Sequence, residues 1–131
     1  MEIPRELDWV RVRSKCSLLE VFKKLRLDVE EDVRVFNEVR QFTASNSIRV
    51  IASTPGTIFI VCGSVAAIRE VVFTLRNERI EIDDQASEKK FAVTLTLNKE
   101  GRCMFRYEGE ELEQWQLRRM ALETLFFTFL Q

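Results

Sequence analysis

From Leu18 to Phe36 an apolar residue returns at steps of three or four: Leu18, Phe22, Leu25, Val29, Val33 and Phe36, with Val21 and Val39 beside them. That period is helical and puts one stripe on one face, which must lie against a core. Ser17 followed by Glu20 has the spacing of a capping box and sets the start of the helix. The other face carries Lys23, Lys24, Asp28, Glu30, Glu31, Asp32 and Arg34, with Glu20–Lys24 and Glu30–Arg34 four apart. It is read as a solvated face held by modest ion pairs, rather than as a docking surface.

After the polar break Thr43–Ser47 the period drops to two, so the stripe needs a sheet to cover it. "IRVIAS" and "TIFIVCG" are rich in β-branched and aromatic residues. Thr54-Pro55-Gly56 between them suits a tight turn, with proline fixing φ and glycine accepting a positive φ. Ile58, Phe59, Ile60 and Val61 are apolar on both faces, which places the second strand centrally.

Residues 64–84 admit two readings. Val65, Ile68, Val72 and Leu75 fit a helical stripe behind Ser64, whereas "VVFTL" and "IEI" around "RNER" fit a hairpin; the β-branched and aromatic content favours strands. "FAVTLTLN" then alternates, with Phe91, Val93, Leu95 and Leu97 inward and Ala92, Thr94, Thr96 and Asn98 outward. "NKEG" turns the chain into a strand that places Cys103, Phe105 and Tyr107 on one face. A second long helix is expected after Gly109, with Glu110, Glu111 and Glu113 near its positive end. Leu112, Trp115, Leu122, Leu125, Phe126, Phe129 and Leu130 form its broad apolar arc, and Phe127 points away from that arc.

At the other end "WVRVRSK" alternates too, setting Val10 and Val12 against Trp9, Arg11, Arg13 and Lys15 as a short edge strand. The expected fold class is therefore α+β in one domain, residues 1–131. An optional short N-terminal strand and a long helix come first, then an antiparallel meander of five or six strands and a long C-terminal helix packed on the sheet. The order of elements is similar to that of helix-grip folds, a likeness of architecture that implies no activity.

Composition narrows the chemistry. With no histidine, imidazole-dependent triads and His-bearing metal sites are excluded. No glycine-rich phosphate loop occurs, and no cofactor is implied. A formal net charge of -1 with the signs interspersed lacks the basic footprint of a nucleic-acid binder. The opening residues do not resemble a signal peptide and no apolar run reaches the length of a membrane span, so a cytoplasmic setting is expected. Cys16, Cys62 and Cys103 lie far apart and are read as reduced thiols. Cys16, ahead of a helix and after three cations, is the one with reactive potential. Asp83-Asp84 is read as the polar end of a strand rather than as an acid/base pair.

Two candidate sites remain. Arg11, Arg13 and Lys15 would form an anion-binding row if they shared an edge strand, although charged edges also serve to prevent aggregation. Phe126, Phe127, Phe129 and Leu130 give the terminal turns apolar surface on more than one side, which a partner would cover. The expected function is a non-catalytic protein-interaction or assembly module that forms a homodimer through the C-terminal helix, or docks another protein. The alternative is a small apolar-ligand binder with a pocket between helix and sheet. An enzyme built on carboxylates or Cys16 ranks behind both.

Overall fold

A computed structural model describes residues 9–40, 48–64 and 67–127. Two helices open the chain, α1 (Trp9–Lys15) and α2 (Leu18–Arg40). Seven strands follow: β1 (Ile48–Thr54), β2 (Thr57–Ser64), β3 (Ala67–Leu75), β4 (Ile80–Asp84), β5 (Lys89–Leu97), β6 (Cys103–Tyr107) and β7 (Glu110–Leu112). Helix α3 (Gln114–Phe127) comes last and packs with α2 over the sheet. The fold is α+β, and its sheet order is the chain order, every neighbour antiparallel.

α2 forms where the stripe and its cap place it. Ser17 Oγ accepts a hydrogen bond from the Glu20 amide at 3.3 Å, and the Val21 amide donates to the Ser17 carbonyl at 2.9 Å. Phe22, Leu25, Val29, Val33 and Phe36 are all buried. Val39, which the period sets beside them, is instead 73% exposed in the last turn of the helix.

The sheet supplies the other half of the core. In register, Ile58 faces Phe73, Ile60 faces Val71, Phe73 faces Ile82 and Ile80 faces Val93. Directly opposed residues share a face, so these side chains form one continuous apolar layer beneath α2 and α3. Residues 67–84 are two strands, as their β-branched content indicates; Val65 and the 43–47 break lie outside the described residues. Val93 is buried, and Leu95 and Phe91 pack against the same core. β5 pairs with β4 through Lys89–Val93 and with β6 through Thr94–Leu97, so the last strands are displaced along the sheet.

Polar groups fix the orientation of these layers. Arg26 Nη2 donates to the carbonyls of Thr54, Pro55 and Thr57 at 2.8, 3.0 and 3.1 Å, tying the β1–β2 turn to α2. The Asn37 amide pairs with the backbone of Ile48, donating to its carbonyl at 2.7 Å and accepting from its amide at 3.0 Å. A side-chain amide thus stands in for a neighbouring strand at the edge of the sheet. Asn98 Oδ1 similarly accepts from the amides of Glu100 and Arg102, closing the turn in which Gly101 takes φ 76°.

Four expectations are corrected. "WVRVRSK" is helix α1 rather than an edge strand. Seven residues are too few for alternation to exclude a helical turn, and the Cys16 amide closes the helix onto the Val12 and Arg13 carbonyls. Gly56 is not among the described residues with positive φ; the turn is held by its carbonyl, which accepts from the Leu75 amide at 2.8 Å. Glu110–Leu112 is β7, paired with β6, and not the first turn of a helix, so the meander has seven strands where five or six were expected. The chain needs a reversal at Glu108 and Gly109, both in the left-handed region, before it can return over the sheet. Finally, Cys16 and Cys103 are joined as a disulfide with Cα atoms 5.5 Å apart, rather than being reduced thiols. Cys62 is free and buried, and burial pushes its thiol pKa up.

Two outcomes are expected. Leu25→Ala, which empties a wholly buried position, lowers the free energy of unfolding by about 2–5 kcal/mol in a urea titration. Under denaturing conditions without reductant, alkylation followed by mass measurement labels one cysteine, and after reduction all three. The bond closes a loop of 87 residues, so its reduction costs about 2–5 kcal/mol of stability.

Candidate functional site

α3 is the element with the most unburied aromatic surface, and its caps determine which residues face outward. The Glu113 carbonyl accepts from the amides of Gln116 and Leu117, while Gln116 Oε1 accepts from the Glu113 amide at 2.8 Å. This is the reach-back half of a capping box, and it starts the helix at Gln114. Leu117, Ala121, Leu122, Leu125 and Phe126 then point into the core. Arg118 Nη1 donates to Asp32 at 2.7 Å, holding α3 against α2. With that rotation set, Trp115 remains 50% exposed and Phe127 49% exposed.

The two aromatics differ in how they are held. The Trp115 indole N–H donates to Glu113 at 2.7 Å. Hydrogen bonds from Arg102 and then from Trp115 hold the Glu113 carboxyl below the usual carboxylate range. Phe127 packs edge-on against Phe36 with ring centroids 5.3 Å apart, while Phe126 stacks on Phe36 at 4.6 Å. Phe36 thus carries one buried and one half-exposed partner. Between Trp115 and Phe127 runs a shallow depression of about 360 Å³, with Leu122 and Phe126 among its apolar lining residues and Arg119 and Glu123 also lining it.

A second, larger groove of about 840 Å³ opens where α1 and α2 meet the β5–β6 end of the sheet. Val12, Leu27, Leu95, Phe105 and Trp115 give it apolar walls, and the Cys16–Cys103 bond lies along it. Lys24 and Asp28 stand at its margin, with the Lys24 ammonium 2.9 Å from the carboxylate. Burial raises the Asp28 pKa, but hydrogen bonds from Lys24 and Gln114 and the charges of Lys24 and Arg118 outweigh it, so the carboxyl sits below its ordinary value.

The residues singled out in the sequence are distributed unequally over these surfaces. Phe126 is in the core and Phe127 is open, while Phe129 and Leu130 lie outside the described residues. Trp115, assigned to the inward arc, is turned outward, and Leu117 and Ala121 take the core positions. Arg11, Arg13 and Lys15 sit on a helix, where successive residues lie about 100° apart. They form no single row, and Arg13 is turned back to the Cys16 carbonyl at 3.3 Å. Cys16 carries no thiol, being bonded to Cys103. Asp84 is buried and accepts from the Ser87 hydroxyl at 2.6 Å and from its amide at 3.2 Å, ending β4 with a side-chain cap.

Arg119, which the sequence reading explains together with Arg118 as a cation snorkelling around the apolar arc, and Glu123, which it passed over, are both exposed on this surface. Their spacing of four from Trp115 and Phe127 was the available signal. No described helix is long and apolar enough to cross a membrane. Compared with protein-family models, with curated proteins and with solved structures, the chain matches none.

Proposed function

We propose that this protein is a non-catalytic interaction module that self-associates through the outward face of α3. The observation that carries the reading is the pair of half-exposed aromatics, Trp115 and Phe127, at either end of a depression with apolar lining from Leu122 and Phe126. Large aromatic side chains beside a shallow apolar recess are the usual anchors of a protein interface. The same face carries charges of both signs, Arg119 and Glu123, so it meets a copy of itself without forced repulsion. Exposed Val35 and Val39 on α2 extend the helical layer available for contact. A stable interface buries about 800 Å² on each partner, which asks for more of this layer than α3 alone.

Sedimentation equilibrium at tens of micromolar is expected to show a dimer. Phe127→Ser and Trp115→Ser, both at half-exposed positions, each weaken it by roughly tenfold or more with the fold intact by circular dichroism. A wild-type protein that stays monomeric throughout that range overturns the reading.

The larger groove favours a second reading, a site for a small apolar ligand. Its volume of about 840 Å³ lies within the roughly 300–1,000 Å³ of ordinary ligand sites. Leu27 is exposed on its wall, so Leu27→Glu is expected to remove any saturable binding of a fluorescent fatty acid without unfolding the protein. Equal binding by both proteins, or by neither, dismisses this site.

A further inference from the structure

We infer that two copies pair through α3 in an antiparallel register about a twofold axis that passes between Arg119 and Glu123. This rests on the self-association proposed above and adds its geometry. Trp115, Arg119, Glu123 and Phe127 stand four residues apart and form one exposed row along the helix. At about 1.5 Å rise per residue the row is roughly 18 Å long. Its chemistry is aromatic, cation, anion, aromatic.

That order is self-complementary in one orientation only. Turning a second copy by half a rotation about the midpoint of the row sets Arg119 against the partner's Glu123 and Glu123 against the partner's Arg119. It also sets Trp115 against the partner's Phe127, and the reverse at the other end. A parallel pairing in register would oppose like charges, which an interface avoids. Within one copy Arg119 Nε and Glu123 already lie 3.4 Å apart with both side chains more than half exposed. Pairing therefore needs no new rotamer, only a second carboxylate for a guanidinium whose other N–H groups have no hydrogen bond among those of the described residues.

The spacing also sets the crossing. A row at i, i+4, i+8 is inclined by about 26° to the helix axis, so two such rows face each other along their length when the helices cross at about 50°. In that arrangement each partner's aromatic meets the depression of about 360 Å³ that Leu122 and Phe126 line. The occupant is a second copy because the row supplies its own complement in both charge and shape, whereas another protein would have to reproduce it.

Charge exchange tests the register. Arg119→Glu and Glu123→Arg are each expected to weaken self-association by roughly tenfold or more, because each places like charges together twice across the axis. Mixed in equal amounts, the two variants are expected to form a heterodimer of near wild-type affinity, seen by native mass spectrometry with one variant isotopically labelled. The double variant Arg119→Glu/Glu123→Arg is expected to dimerise like the wild type. Circular dichroism of each variant checks that the helix persists. If the wild type dimerises and the mixture forms no preferred heterodimer, the register is overturned while the interaction module stands. A monomeric wild type overturns both.

Discussion

The structure depends on covering one face of a staggered antiparallel sheet with two helices. Ile58, Ile60, Val71, Phe73, Ile80, Ile82 and Val93 form a layer that has no stability in water until α2 and α3 lie on it. Burial of such side chains is favourable by about 1.5–3 kcal/mol each. Because it has no direction, it does not by itself select how the helices lie. The alternation within each strand fixes which side chains take part, since a slip of one residue would turn the whole layer to solvent.

Orientation comes from a few polar ties placed at the margins of that layer. Arg26 gathers three carbonyls of the β1–β2 turn, Asn37 occupies the backbone of Ile48, and Arg118 meets Asp32 between the two helices. The last pair is partly shielded, with side chains 21% and 31% exposed. Its loss would free α3 to roll on the apolar layer, and a roll would turn Trp115 and Phe127 inward or Leu117 and Leu125 outward. The disulfide acts at the opposite end of α2, joining the α1–α2 junction to β6 and limiting how far the displaced last strands can separate from the helices.

The proposed interface follows from this arrangement rather than adding to it. A helix held on a sheet by one face has a second face whose residues are chosen by other needs. On α2 that face carries paired charges, Lys24–Asp28 and Arg34 with Glu31 and Glu38, among exposed side chains that are aliphatic, Leu19, Leu27, Val35 and Val39. On α3 it is bounded by two aromatics, Trp115 and Phe127, that the described fold leaves half exposed. The contrast between the two helices, packed side by side in one layer, is what distinguishes α3 as a contact surface.

The sequence by itself determined the elements whose periodicity is long and unmixed. The α2 stripe, the alternation of β5, and the shared face of Phe105 and Tyr107 were legible because a strict period leaves one direction for burial. It also showed that Phe127 stands apart from its neighbours. What only the tertiary structure decided lies where local pattern is short or where partners are distant in the chain. Seven residues of α1 fit either period, and β7 exists only because β6 offers it a ladder. Cys16 and Cys103 meet across 87 residues because the stagger of the sheet brings β6 beneath the start of α2. The outward turn of Trp115 was settled by the cap at Glu113 and by Arg118 reaching Asp32, a contact between residues 86 apart that no local period encodes.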